Sequence, residues 1–117
     1  MATVHKRIPL GNTPPAKVWD VIQDIGAVHT RLAPGFVVDT TLEPHNTARQ
    51  VKFVNGLTVR ELIVTIDHDA KRLAYAVSGS GTATHHNASF QVFVAKDGST
   101  ELVWITDLLP DSAVKDY

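Results

Sequence analysis

From residue 36 onward the chain is a succession of short apolar runs parted by turn signals only a few residues long, and this pattern leaves few folds open. Asn55-Gly56 lies between runs 51–54 and 57–66, and Asp67-His68-Asp69-Ala70 separates the second from 73–77. Ser78-Gly79-Ser80-Gly81 precedes a strand over 84–95, and Lys96-Asp97-Gly98 precedes one over 101–109. A parallel neighbour needs a crossover of a dozen or more residues, whereas an antiparallel one needs only a turn, so these connections dictate an antiparallel meander. Asn-Gly is the strongest of the hairpin signals because both residues tolerate positive φ.

The segment before the meander reads differently. Residues 3–10 suit a short strand, ended by Pro9, Gly11 and Asn12. Asn12-Thr13-Pro14-Pro15-Ala16-Lys17 then signals a helix start, in which a short polar residue caps free amides and proline fits the first turn. Val18, Val21, Ile22 and Ile25, with Trp19 beside them, form one apolar stripe at helical spacing. Gly26 breaks the stripe, a second short helix is expected to hold Ala27, Val28 and Leu32, and Pro34-Gly35 closes it. The expected class is α+β: a curved meander of about six strands, with two short helices after the first.

Alternation assigns faces. Ala88, Phe90, Val92 and Val94 alternate with Asn87, Ser89 and Gln91, so the even positions face the core; His86 extends that face and His85 points to solvent. Leu73, Tyr75 and Val77 give the neighbouring strand an inward face. The last hairpin has two registers. A two-residue Asp97-Gly98 turn pairs Phe90 with Ile105 and buries Asp107; a three-residue Lys96-Asp97-Gly98 turn pairs Phe90 with Trp104 and leaves Asp107 wet. An unpaired buried carboxylate is costly, so the three-residue turn is expected, with Leu102, Trp104 and Leu108 inward. In 57–66 the faces do not resolve: Leu62, Val64 and Ile66 lie on one side, Leu57, Val59 and Ile63 on the other with Glu61. A strand apolar on both faces is covered on both or contributes to a dimer contact.

Composition removes whole classes of function. The 117 residues suit one domain, and 44% apolar with 20% charged residues is globular composition. Eleven basic residues against twelve acidic give no electrostatic footprint for nucleic acid, so no nucleic-acid partner is expected. With no cysteine there is no disulfide, thiolate metal site or cysteine nucleophile. No apolar run reaches membrane-spanning length, and residues 1–7 lack a signal-peptide core, so a soluble cytoplasmic protein is expected.

Candidate chemistry is sparse. His86 and Glu61 are the polar side chains best placed to face a cavity, where they can orient a carbonyl or hydroxyl, and a histidine near its ordinary pKa can act as general acid or base. The plainer alternative makes His86 a satisfied core histidine and pairs Glu61 with a basic neighbour across the strand. Adjacent on a strand, His85 and His86 face opposite ways and cannot share a metal ion, and no metal site is expected. Arg49 can anchor an anionic group, though a surface salt bridge is the commoner use. Asp20 and Asp24 read as solvated helix charges, and Trp19 as a core anchor. Ser78, Ser80, Ser89 and Ser99 lack a nucleophile-elbow context, and Ser78-Gly79-Ser80-Gly81 lacks the lysine and helix of a phosphate loop.

Several stretches in combination carry a resemblance that spans nearly the whole chain. They are the helix Pro15-Ala16-Lys17-Val18-Trp19-Asp20-Val21-Ile22-Gln23-Asp24-Ile25, Arg49-Gln50-Val51 with Gly56 and Glu61, Asp67 with Arg72, Leu73 and Tyr75, and Trp104 ahead of Pro110. With these elements in this order, the sequence resembles the polyketide cyclase/dehydrase-like (SRPBCC) branch of the START / Bet v 1-like helix-grip superfamily. Thr47 stands where that family often has glycine. The resemblance implies a cavity on the concave sheet for a small hydrophobic or aromatic guest (polyketide, lipid or isoprenoid), lined by Phe36, Val59, Glu61, Tyr75, Val77, His86, Ala88, Phe90 and Trp104. Any reaction would be cofactor-independent cyclisation, dehydration or isomerisation, with His86 and Glu61 as proton carriers and Tyr75 as donor. A non-catalytic carrier or sensor and a protein-interaction module are the alternatives. Family members usually end in a long helix across the concave face, whereas here residues 110–117 read as a helix start and the chain stops. Either a longer protein or a second subunit is expected to complete the wall, a homodimer covering the concave or the outer face.

Overall fold

In the computed structural model, which describes residues 2–78 and 83–112, the turn signals become a seven-stranded antiparallel sheet. In chain order the elements are β1 (Ala2–Pro9), α1 (Pro15–Gln23), the single wide turn α2 (Val28–Leu32), β2 (Val37–Leu42), β3 (Ala48–Phe53), β4 (Thr58–Asp67), β5 (Arg72–Ser78), β6 (His85–Val94) and β7 (Thr100–Leu109). The sheet order is β1-β7-β6-β5-β4-β3-β2, so residues beyond 36 supply a six-strand meander and β1 joins its far edge. This is the helix-grip α+β arrangement without a long C-terminal helix among the described residues. The helix start expected at 110–117 lies mostly outside them, as does most of the Ser78–Gly81 turn.

The helix begins without the expected polar cap. Pro14 occupies the cap position with no side-chain hydrogen bond, and its carbonyl accepts from the amides of Lys17 (3.0 Å) and Val18 (3.3 Å). Two consecutive prolines carry no N–H, so fewer donors need capping. The start is instead tied to the sheet, where the Thr100 hydroxyl donates to the Thr13 carbonyl. A Cβ on Gly26 would lie 2.9 Å from Leu42 Cδ1, and its absence lets the chain turn closely against β2 on its way into α2.

The β6–β7 register pairs Phe90 with Trp104 and Ala88 with Thr106, as the three-residue turn requires. Asp107 sits on the outer face, accepting from Thr3 Oγ1 (2.7 Å) and Asn87 Nδ2 (3.1 Å). Inward alternation holds for His86, Ala88 and Val92, but Val94, expected inside, is 61% exposed because β6 ends there at the hairpin.

β4 resolves its two apolar faces through a register shift at Val64: Ile63 pairs with Tyr75, but Thr65 pairs with Ala74. Val59, Glu61 and Ile63 therefore face inward, Leu62 and Val64 face outward, and Ile66 returns to the side of its partner Leu73. Two core clusters flank the inner face. Val18, Trp19, Ile22 and Ile25 pack on Leu73, Val92 and Leu102, while Val28 packs with Val37, Val51 and Val59. Complete burial of a side chain such as Ile22 or Leu73 stabilises by about 1.5–3 kcal/mol.

Candidate functional site

Between the two clusters, under α1 and over the inner face of the sheet, lies a cavity of about 970 Å³. Its wall is an aromatic row. Tyr75 and Phe90 stack with centroids 6.1 Å apart, as diagonal neighbours across β5 and β6, where their direct partners are Ala88 and Leu73; Phe90 and Trp104, direct partners on β6 and β7, lie 6.3 Å apart. The opposite rim carries an edge-to-face pair, Phe36 and Phe53, 5.5 Å apart.

The polar part of the wall is compact. Arg49 and Glu61 are cross-strand partners on β3 and β4, and Arg49 Nε donates to Glu61 Oε1 at 2.7 Å. Arg49 also donates from Nη1 to the Ile25 carbonyl (3.3 Å), and its guanidinium stands 5.5 Å from the centre of the Tyr75 ring. Trp104 Nε1 donates to the Tyr75 hydroxyl at 3.1 Å, which leaves the phenol proton available to an acceptor in the cavity. Burial pushes the Tyr75 phenol far above its ordinary value, with the negative charge of Glu61 adding to the effect, so it stays protonated. Burial, helped by nearby His85, holds the His86 imidazole below its usual value and keeps it neutral at pH 7.

Eight of the nine residues expected to line the hollow do so: Phe36, Val59, Glu61, Tyr75, Val77, His86, Phe90 and Trp104. Ala88 is the exception; it is buried in the sheet and is not among the lining residues of this cavity. Arg49, expected in a surface salt bridge, is only 2% exposed and forms the buried pair with Glu61. Asp20 and Asp24 clasp Arg31 at 2.7 and 2.9 Å on the surface, and Trp19 donates to His68 Nδ1 at 3.1 Å. Sequence reasoning missed Lys6, Lys17, Val21, Leu32, Phe53 and Leu57, which also line the hollow. For Lys6 a signal existed, since alternation in β1 puts it on the side of Val4 and Ile8. The helix residues had none, because nothing local says where a helix crosses a sheet. Among the described residues no group of three or more His, Cys, Asp or Glu side chains could hold a metal ion. His85 faces outward, its Nε2 2.7 Å from Asn87 Oδ1.

A sheet wrapped around a hollow, with helices closing one end, defines the helix-grip class. Residues 1–115 match the model of the family described as polyketide cyclase / dehydrase and lipid transport, and the chain belongs to that family. Curated proteins gave no match. Solved structures did: a protein of Thermobifida fusca determined by NMR is 28% identical with a TM-score of 0.77, over 98% of this chain and 80% of that one. XoxI of Bacillus cereus is 16% identical with a TM-score of 0.80, over 92% and 75%. Truncated norcoclaurine synthase of Thalictrum flavum is 17% identical with a TM-score of 0.72, over 92% and 74%. At 16 and 17% identity the likeness to the last two is one of fold. No helix among the described residues is long and apolar enough to cross a membrane.

Proposed function

We propose that this protein binds a small hydrophobic molecule of polyketide, isoprenoid or other lipid type inside the inner-face cavity. The observation that carries the reading is the hollow itself: about 970 Å³, walled by stacked aromatics and aliphatic side chains, with the buried Arg49–Glu61 pair and Tyr75 forming a polar cluster on its wall. Such a surface offers burial to an apolar body, and the Tyr75 hydroxyl and His86 offer hydrogen bonds that fix its orientation. Family membership supports the same use. Proton-transfer chemistry is a second reading, supported by a neutral imidazole and a protonated phenol lining one cavity. In that reading His86 accepts a proton and Tyr75 donates a hydrogen bond, while Glu61, tied to Arg49, holds the cluster in place.

Fluorescence titration with 1-pyrenebutanol tests the binding reading. Removing roughly 300 Å² of apolar probe surface from water is worth about 7 kcal/mol, or a Kd of micromolar order. Saturable one-to-one binding of that order is expected, weakened at least about tenfold in Val77→Trp, whose indole projects into the hollow beside the aromatic wall, with a melting profile showing that the variant folds. Absence of saturable binding, or equal binding by a folded Val77→Trp, overturns the reading.

A further inference from the structure

We propose that the guest of this cavity carries an anionic head group, such as a carboxylate, received by Lys6 and Lys17 at one flank while the apolar body runs along the aromatic wall. The inference rests on the ligand-binding reading and adds the class of ligand.

Charge bookkeeping around the cavity carries it. Four of its lining residues are charged: Arg49, Glu61, Lys6 and Lys17. Arg49 and Glu61 neutralise one another at 2.7 Å, and a ligand anion brought to that guanidinium would meet the Glu61 carboxylate as well. The polar cluster therefore suits a neutral hydrogen-bonding group. What remains is the positive charge of the two lysines. Among the described residues neither makes an ion pair, and the nearby acids are engaged elsewhere: Asp20 and Asp24 by Arg31, and Glu101 by Arg7.

Position agrees with charge. Lys6 is the β1 partner of Trp104, and its ammonium stands 5.4 Å from the centre of the indole ring. The same indole donates to Tyr75, so Trp104 runs from the cationic flank to the polar cluster. Lys17 lines the same cavity from the first turn of α1. Both lysines are exposed, so a carboxylate placed there keeps part of its hydration and avoids the large cost of a buried, unpaired anion. The opposite rim, where Phe36, Phe53 and Leu57 stand, has no charged side chain among its lining residues and takes the apolar end.

The test compares 1-pyrenebutyrate with 1-pyrenebutanol, one aromatic body with an anionic or a neutral head, at pH 7.5 and low salt. The acid is expected to bind about three- to tenfold more tightly, a modest factor because exposed ion pairs are individually weak. Lys6→Gln with Lys17→Gln should bring the acid to the affinity of the alcohol, Lys6→Arg with Lys17→Arg should keep the preference, and Lys52→Gln, away from the cavity, should not change it. High salt should shrink the preference as it screens the charges. Equal affinities in the native protein, tighter binding of the alcohol, or a preference surviving the double glutamine variant overturns the anionic head while leaving the cavity reading intact. Failure of both probes to bind overturns the cavity reading, and this inference with it.

Discussion

A guanidinium that is 2% exposed must be neutralised where it lies, and Arg49 meets that demand with one carboxylate, one carbonyl and one aromatic ring. Removing one member of a buried pair leaves the other charge without compensation, which costs more than the pair contributes. Arg49→Met should therefore lose about 3–5 kcal/mol of unfolding free energy in urea, and Arg49→Met with Glu61→Leu should recover most of it. A double variant no more stable than the single one would contradict this account of the pair. Both residue types were visible in the sequence, and pairing across the strand was one of two readings open for Glu61. What hid their burial is that the Arg49–Glu61 register depends on the turn between them. A two-residue Asn55-Gly56 turn would have set Glu61 opposite Gln50 instead.

The two clearest hairpins share a build that the sequence revealed in only one of them. In the β6–β7 turn the Ala95 amide bonds to the Ser99 carbonyl (2.8 Å), Gly98 takes φ +84°, and Asp97 Oδ1 accepts from the Ser99 amide (2.9 Å). In the β3–β4 turn the Phe53 amide bonds to the Leu57 carbonyl (2.8 Å), Gly56 takes φ +90°, and Asn55 Oδ1 accepts from the Leu57 amide (3.0 Å). Both are three-residue loops with glycine third, so Asn55-Gly56 does not use positive φ at both residues. The β6–β7 register was legible because a buried Asp107 ruled out its rival, and β3–β4 offered no such penalty. The shift at Val64 was illegible for a related reason: Leu62, Val64 and Ile66 alternate as one face, and only the pairing with β5 breaks them apart. At Gly98 an added Cβ would meet nothing within 4 Å, so the backbone conformation alone is at stake. Gly98→Ala should cost about 1 kcal/mol, read from thermal or urea unfolding, against almost nothing for the neighbouring Lys96→Ala. An unchanged stability in Gly98→Ala would contradict the positive-φ turn.

At the scale of the whole molecule, the order of elements, the faces of β5, β6 and β7 apart from Val94, and eight of nine cavity residues follow from alternation, turn spacing and family resemblance. The cavity's dimensions and its cationic flank do not. They arise where α1 crosses the sheet and where β1, first in sequence, pairs with β7, last in sequence, bringing Lys6 beside Trp104. The outer face presents Leu62 and Val64 to solvent and also bears a second hollow, of about 700 Å³. Location is therefore the decisive question for any bound guest. Intermolecular NOEs between 1-pyrenebutanol and the protein's methyl groups answer it directly. The account predicts contacts to Val59, Val77 and Leu102 on the inner face; contacts confined to Leu62, Val64 and Ile105 on the outer face would contradict it.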